Sequence, residues 1–173
     1  IGNTLNNIGI AHTNKGDHNK ALDYYEKSLS IQEEIGSKRR MGNTLNNIGI
    51  AHTNKGDHNK ALNYYEKSLV IKKEIGSGVY DLIGTTIYLY LTYKYFGKDY
   101  DKKNIYSLIK EVENVGYELN LRLYDLLEDK SYLETAYNQV QEKASVMEEK
   151  LAKKFLRYPI PKAIIEEYNK VSK

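Results

Sequence analysis

Hydrophobic and polar positions in the first part of the chain follow the period of an α-helix. Leu5, Ile8 and His12 fall three or four residues apart, as on one face of an amphipathic helix. Gly16 and Asp17 then interrupt the pattern. Glycine suits a left-handed residue at a helix end, and aspartate caps the helix that follows. The pattern therefore predicts two helices joined by a short turn.

The second helix has its own apolar face and ends near Ile35, where Gly36 and Ser37 repeat the stop-and-cap signal. The residues of this face are Ala21, Leu22, Tyr25, Ser28, Leu29 and Ile31. Gly9 lies in the middle of the first helix, where glycine costs about 1 kcal/mol relative to alanine. We therefore expect the two helices to cross closely as an antiparallel hairpin, with Gly9 opposite Ala21.

This hairpin pattern occurs twice with almost no change. Residues 1–37 and 41–77 align without gaps at a period of 40, and 32 of the 37 positions are identical. The five differences are Ile1/Met41, Asp23/Asn63, Ser30/Val70, Gln32/Lys72 and Glu33/Lys73. Such similarity indicates a recent duplication, and further copies are expected upstream.

The second half of the chain diverges from the repeat but keeps a helical pattern. The predicted elements are a tyrosine-rich helix over 79–96 that Gly97 ends, helices over 101–115, 117–127, 132–144 and 147–158, and a last helix over 162–171. Pro159 and Pro161 predict an extended break, with Pro161 opening the last helix. The predicted division is repeat 1 at 1–36, repeat 2 at 37–76, a degenerate repeat 3 at 77–116, a degenerate hairpin 4 at 117–146 and C-terminal capping helices at 147–173.

The order of large and small residues within each copy resembles the tetratricopeptide repeat. In the first copy the matching residues are Leu5, Ile8, Gly9, His12, Gly16, Ala21, Tyr25 and Ser28. His12 and Ser28 stand where tyrosine and alanine are usual, and the copies are longer than the common form of about 34 residues. The longer form resembles the repeats of kinesin light chain and of LGN-type spindle scaffolds.

A HEAT repeat has a similar period, but the pairing of Gly9 with Ala21 favours the tetratricopeptide repeat. The resemblance implies an all-α fold. It would be a right-handed α-solenoid of antiparallel helical hairpins, closed by the C-terminal capping helices.

Composition and charge exclude several classes of function. The chain has no cysteine, which excludes disulfides, thiol nucleophiles and cysteine zinc sites, and its net charge of +3 leaves no basic footprint for nucleic acid. It contains no apolar run of about 20 residues and no nucleotide, metalloprotease or serine-hydrolase motif. The four histidines recur with the duplication and do not indicate a metal site. We therefore expect no catalysis, no cofactor, no nucleic-acid or membrane partner, and a cytoplasmic location.

Asparagine is the strongest indication of function. Three asparagines fall within five positions of the first helix of each copy, although asparagine is a poor residue for a helix interior. An amide both donates and accepts, so it can hold a peptide backbone of any sequence. The resemblance implies that the first helices line a concave groove. The residues expected to face it are Asn3, Asn6, Asn7, Ile10, Thr13, Asn14, Asn43, Asn46, Asn47, Ile50, Thr53 and Asn54. The alternative is that these asparagines only solvate an exposed face.

Two tyrosines of the third first helix, Tyr90 and Tyr93, are added to this groove, although aromatic residues at helical spacing also pack hairpins. The clamp that captures the acidic C-terminus of chaperones in related repeats is not expected, because Asn6 and Ile10 occupy its first-helix positions. An extended peptide with some apolar side chains fits better.

The sequence as a whole favours a protein- or peptide-binding scaffold module that uses the concave groove of a repeat array and has no catalysis of its own. Two alternatives stay open. The array could self-associate by stacking its repeats end to end, or it could be a spacer or regulatory arm of a larger multidomain signalling protein.

Overall fold

The computed structural model describes residues 1–172, and over that range the chain forms helices and loops without a strand. The helices are α1 (Gly2–Lys15), α2 (His18–Glu34), α3 (Lys38–Asn54), α4 (His58–Glu74), α5 (Val79–Tyr95), α6 (Lys102–Lys110), α7 (Tyr117–Leu127), α8 (Lys130–Ser145), α9 (Glu149–Phe155) and α10 (Pro159–Val171). The all-α fold expected from the sequence is therefore confirmed.

The turns inside the first three hairpins depend on glycine. Gly16, Gly56 and Gly97 have φ angles of 83°, 80° and 65°, in the left-handed region that other residues rarely adopt. A Cβ at any of the three would meet no atom within 4 Å, so the backbone angle, and not crowding, requires glycine. Asp57 then caps α4 by accepting a hydrogen bond from the backbone N–H of Lys60.

The glycines in the middle of α1 and α3 have a different role. A Cβ at Gly9 would overlap the ring of Tyr25, and a Cβ at Gly49 would overlap the ring of Tyr65. The predicted close crossing is present, but a buried tyrosine lies against each glycine where the sequence suggested Ala21. The small residue therefore makes room for a large one on the partner helix.

The chain divides into two compact units. The first, Ile1–Val112, contains α1 to α6, and in it each second helix also packs against the first helix of the next hairpin, α2 on α3 and α4 on α5. The second unit begins at Glu113 and contains α7 to α10. Its core is formed by Leu121, Leu133, Ala136, Val140, Ala144, Phe155 and Ile164. The repeat limits given above stay a prediction.

Two predicted boundaries are wrong. Helix α6 ends at Lys110 and not at 115, and the backbone N–H groups of Glu111 and Val112 donate three residues back, to Leu108 and Ile109, as in a closing turn. The last helix begins at Pro159, with no extended break between the two prolines. Both prolines lie in the first turn, where a helix does not use the backbone N–H that proline lacks.

Candidate binding face on the first helices

Helices α1, α3 and α5 lie side by side in the first unit, α1 against α3 and α3 against α5. We call their shared outer surface the first-helix row. Five of its predicted asparagines are exposed, and their side-chain amides make no hydrogen bond to any residue in 1–172. They are Asn3, Asn7, Asn14, Asn43 and Asn54. Their amides are therefore available to a ligand.

The apolar members of the predicted groove lie on the same row. Ile10 is 37% exposed and Ile50 is half-buried. An exposed isoleucine beside free amides can receive an apolar side chain while the amides bind backbone. This combination of groups suits an extended peptide.

Other predicted residues are occupied within the protein. The Oδ1 atom of Asn6 accepts hydrogen bonds from Thr44 Oγ1 at 3.2 Å and from Asn47 Nδ2 at 3.1 Å. The bonds join α1 to α3 across the first-helix row. Asn47 therefore supports the row with its Nδ2 group, and its Oδ1 acceptor is the part that is left for a ligand.

The same network is missing one repeat later. Asn46 is the copy of Asn6, but its buried Oδ1 atom has no hydrogen-bond partner in residues 1–172. Thr85 and Tyr88 occupy the positions in α5 that Thr44 and Asn47 occupy in α3. Tyr88 instead stacks on Tyr65, with 5.7 Å between ring centroids. Helix α5 thus offers no amide to complete the network.

The two predicted threonines hold the hairpins together. Thr13 Oγ1 lies 3.0 Å from the Tyr25 hydroxyl and also donates to the backbone carbonyl of Gly9. Thr53 Oγ1 lies 2.8 Å from the Tyr65 hydroxyl. Each threonine hydroxyl therefore holds in place the tyrosine whose ring packs against the glycine of the facing helix.

The two predicted tyrosines contact neighbouring helices as well as each other. Tyr90 stands at the position of Gly49 in α3, and its hydroxyl accepts a 3.0 Å hydrogen bond from Asn104 on α6. The Tyr93 hydroxyl donates to Glu66 on α4 at 3.3 Å, and burial raises the pKa of Tyr93. The two rings stack at 6.0 Å. Tyrosine therefore replaces glycine as the packing residue of the third hairpin.

The histidines of the first helices also pack against hairpin partners. His12 stacks on Tyr24 and His52 on Tyr64, each with 5.5 Å between ring centroids. Burial lowers the pKa of His52 below its ordinary value. Within residues 1–172, no three histidine, aspartate or glutamate side chains come together as a metal site would require.

The sequence prediction missed one important residue, the buried cation Lys72 near the end of α4. It is 4% exposed, and its Nζ donates to the backbone carbonyl of Asp81 at 2.8 Å and to Thr85 Oγ1 at 2.9 Å. Burial lowers the pKa of Lys72 to about 8, although the negative charge of Asp81 opposes the shift. The exchange of Gln32 for Lys72 between the copies was the available signal.

Comparison with protein families tests the repeat assignment directly. Residues 1–74 match the family model described as "Tetratricopeptide repeat". Residues 1–74 are tetratricopeptide repeats. The match covers α1 to α4, and these four helices form the two antiparallel hairpins that the repeat pattern predicts. The similarity to kinesin light chain arrays stays a prediction.

No curated protein matches the chain. Among the helices of residues 1–172, none is long and apolar enough to cross a membrane. Tetratricopeptide repeats in general mediate protein–protein interactions, and the first-helix row is a surface of residues 1–172 on which free amides and apolar side chains occur together.

Proposed function

We propose that the chain is a non-catalytic binding module that holds an extended peptide on the first-helix row. The observation that carries the proposal is the set of five exposed, unpartnered asparagines beside Ile10 and Ile50. Asparagine lowers helix stability, so five of them on one surface without internal hydrogen bonds are poorly explained by folding.

The arrangement suggests how the peptide is held. Amides of Asn7 and Asn14 on α1 and of Asn43 and Asn54 on α3 offer donors and acceptors to peptide N–H and C=O groups. Ile10 and Ile50 provide apolar contacts for the peptide's side chains. The Oδ1 acceptor of Asn47 extends the surface, while its Nδ2 stays bonded to Asn6.

The test starts from a random 12-residue peptide library displayed on phage and selected against the intact chain. Selected peptides are synthesised, and their affinities are measured by isothermal titration calorimetry. Changing Asn7 and Asn47 together to alanine should abolish binding of the selected peptides while helicity stays unchanged by circular dichroism. A control changes Asn59, an exposed asparagine of α4, to alanine.

Two details keep the result interpretable. Because Asn47 also supports the row, the pair Asn14→Ala and Asn54→Ala is measured as well; neither residue has a structural partner in the described chain. Peptides that bind all variants as tightly as the wild type would show that the first-helix row is not the binding surface.

A second candidate is end-to-end self-association. Thr44, Leu45 and Ala51 of α3 are buried under the preceding hairpin, whereas Thr4 and Ala11, two of their copies in α1, are exposed. This open face favours stacking of one copy on another. Light scattering across a hundredfold concentration range separates the two candidates, since a mass that stays at one chain excludes self-association.

A further inference from the structure

A second possible binding surface lies away from the asparagines of the first-helix row. Helices α2 and α4 and the start of α3 enclose a groove of about 520 Å3. Its floor is apolar, with Leu29 from α2, Met41 from α3 and Ile71 from α4. Val70 also lines it and is 56% exposed.

Most of the sequence differences between the two copies lie in the lining of this groove. Three of the five positions that differ place their second-copy residue in its lining, namely Met41, Asn63 and Val70. A fourth places Glu33 of the first copy there. Valine for serine and asparagine for aspartate make the centre of the groove more apolar than the same surface of the first copy. Packing does not require these changes, because Val70 is largely in solvent.

Charge remains at the edges of the groove. Glu33 on α2 and Glu66 on α4 line it, and neither forms an ion pair with a described residue. The one lysine in the lining, Lys67, has its ammonium 5.8 Å from the centre of the Tyr64 ring. Glu33 is therefore available to a cation from outside the chain, whereas Glu66 already accepts the hydrogen bond of Tyr93 with Oε1 and offers its second oxygen.

The length of the groove indicates the shape of its occupant. Its lining on α4 runs from Asn63 to Ile71, which is about 12 Å at the helical rise and equals two turns of helix. A helix bound in a groove presents apolar residues at i, i+3 or i+4 and i+7, which is the same span.

We propose that this groove binds an amphipathic helix of a partner protein. Apolar side chains of that helix enter between α2 and α4 over Leu29, Val70 and Ile71, and its lysines or arginines lie against Glu33 and Glu66. The groove lies apart from the asparagines of the first-helix row, and the hydrogen bond from Tyr93 to Glu66 is a contact that joins the two surfaces.

The test uses three fluorescein-labelled 18-residue peptides and fluorescence anisotropy. One is a leucine–lysine helix with an apolar stripe, one has glutamate in place of lysine, and one has the leucines scattered around the helix. The striped lysine peptide should bind at least about tenfold more tightly than the other two. Equal binding of the glutamate peptide would overturn the proposal.

The duplication supplies matched variants. Val70→Ser and Glu33→Lys each introduce the residue of the other copy. Val70→Ser should lower the affinity for the striped peptide about tenfold, and Glu33→Lys should lower it about fivefold. Ser30→Val and Lys73→Glu make the reverse exchanges at the corresponding positions and should leave binding unchanged. All four sites are exposed, so circular dichroism should show no loss of helix.

Two outcomes contradict the proposed occupant. Equal affinity for the wild type and Val70→Ser would mean that the peptide binds elsewhere. A wild-type dimer by light scattering that Val70→Ser converts to a monomer would mean that a second copy of the chain fills the groove.

Discussion

The two copies of the duplicated hairpin share most of their residues but differ in the contacts that these residues make. Asn6 accepts two hydrogen bonds from α3, whereas the buried oxygen of its copy, Asn46, has none within residues 1–172. Gln32 donates to Ser28 inside its own helix at 2.8 Å, whereas Lys72, at the same place in the second copy, donates to α5. Equivalent residues of the two copies therefore contribute differently to the stability of the fold.

For Asn6 and Asn46, which are the same residue, the difference arises from the neighbouring helix and not from the hairpin. The second helix of copy one packs against α3, a tetratricopeptide first helix, while that of copy two packs against the divergent α5. In a solenoid each repeat contacts only its neighbours, so changing the neighbour changes the role of an unchanged residue. Contacts inside a hairpin should be equal in both copies, and contacts between hairpins should differ.

The largest expected effect tests the part that the copies share. Gly9→Ala and Gly49→Ala should each lower the free energy of unfolding by about 3 kcal/mol, because the new methyl group overlaps the ring of Tyr25 or Tyr65. Urea unfolding followed by circular dichroism measures the loss. Gly78→Ala, where a Cβ has open space, is the control. A large difference between the two glycine variants would show that the hairpins are not equivalent.

The next effect tests the exchange of Gln32 for Lys72. Because the folded-state pKa of Lys72 is about 8 and the unfolded value is about 10.5, the unfolded chain binds the proton more tightly between these pH values. The free energy of unfolding should therefore gain about 2 kcal/mol from this group between pH 7 and pH 9.5. Lys72→Gln should remove that rise, as measured by urea unfolding at each pH, while Lys73→Gln, at the exposed neighbouring lysine of the same helix, should keep it.

The smallest effect concerns the asparagines of the first-helix row. Asn6→Ala removes the acceptor of two hydrogen bonds and should cost about 1 kcal/mol. Asn46→Ala removes a buried oxygen without a partner and introduces a better helix former, so it should stabilise the protein by about 0.5 kcal/mol. Thermal unfolding of the two variants measures both changes in stability. The same sign of change in both would disprove the difference between the two sites.

Much of the fold could be predicted because it depends on local sequence. Glycine at a left-handed position followed by aspartate marks the turn before α2 and the turn before α4 wherever the sequence is repeated. The end of α6 could not be predicted this way, because no glycine or proline stands next to Lys110, where the helix closes in three-residue turns. The start of α10 was missed because two prolines in a first turn look like a break.

The candidate site was predictable only in outline. The sequence places asparagines on one helix face, but whether an amide is free depends on the next hairpin. Asn7 is free, while Asn47, its copy, donates to Asn6. The sequence shows Lys72 as a difference between the copies. Its burial could not be predicted, because it depends on the carbonyl of Asp81 and the hydroxyl of Thr85, which accept hydrogen bonds from its Nζ.

The contacts of Lys72 also bear on how the chain reaches its native order during folding. Two nearly identical hairpins can exchange places, and such misassembly is a characteristic failure of repeat proteins. If α4 docked on a helix of the α3 type, Lys72 would find the carbonyl of Arg40 and the hydroxyl of Thr44 at the places of Asp81 and Thr85, but the carboxylate of Asp81 would be replaced by a guanidinium. A buried ammonium beside a guanidinium is strongly disfavoured. Lys72 therefore favours docking of α4 on α5 over docking on a helix of the α3 type. The two nearly identical hairpins can in this way keep different neighbours.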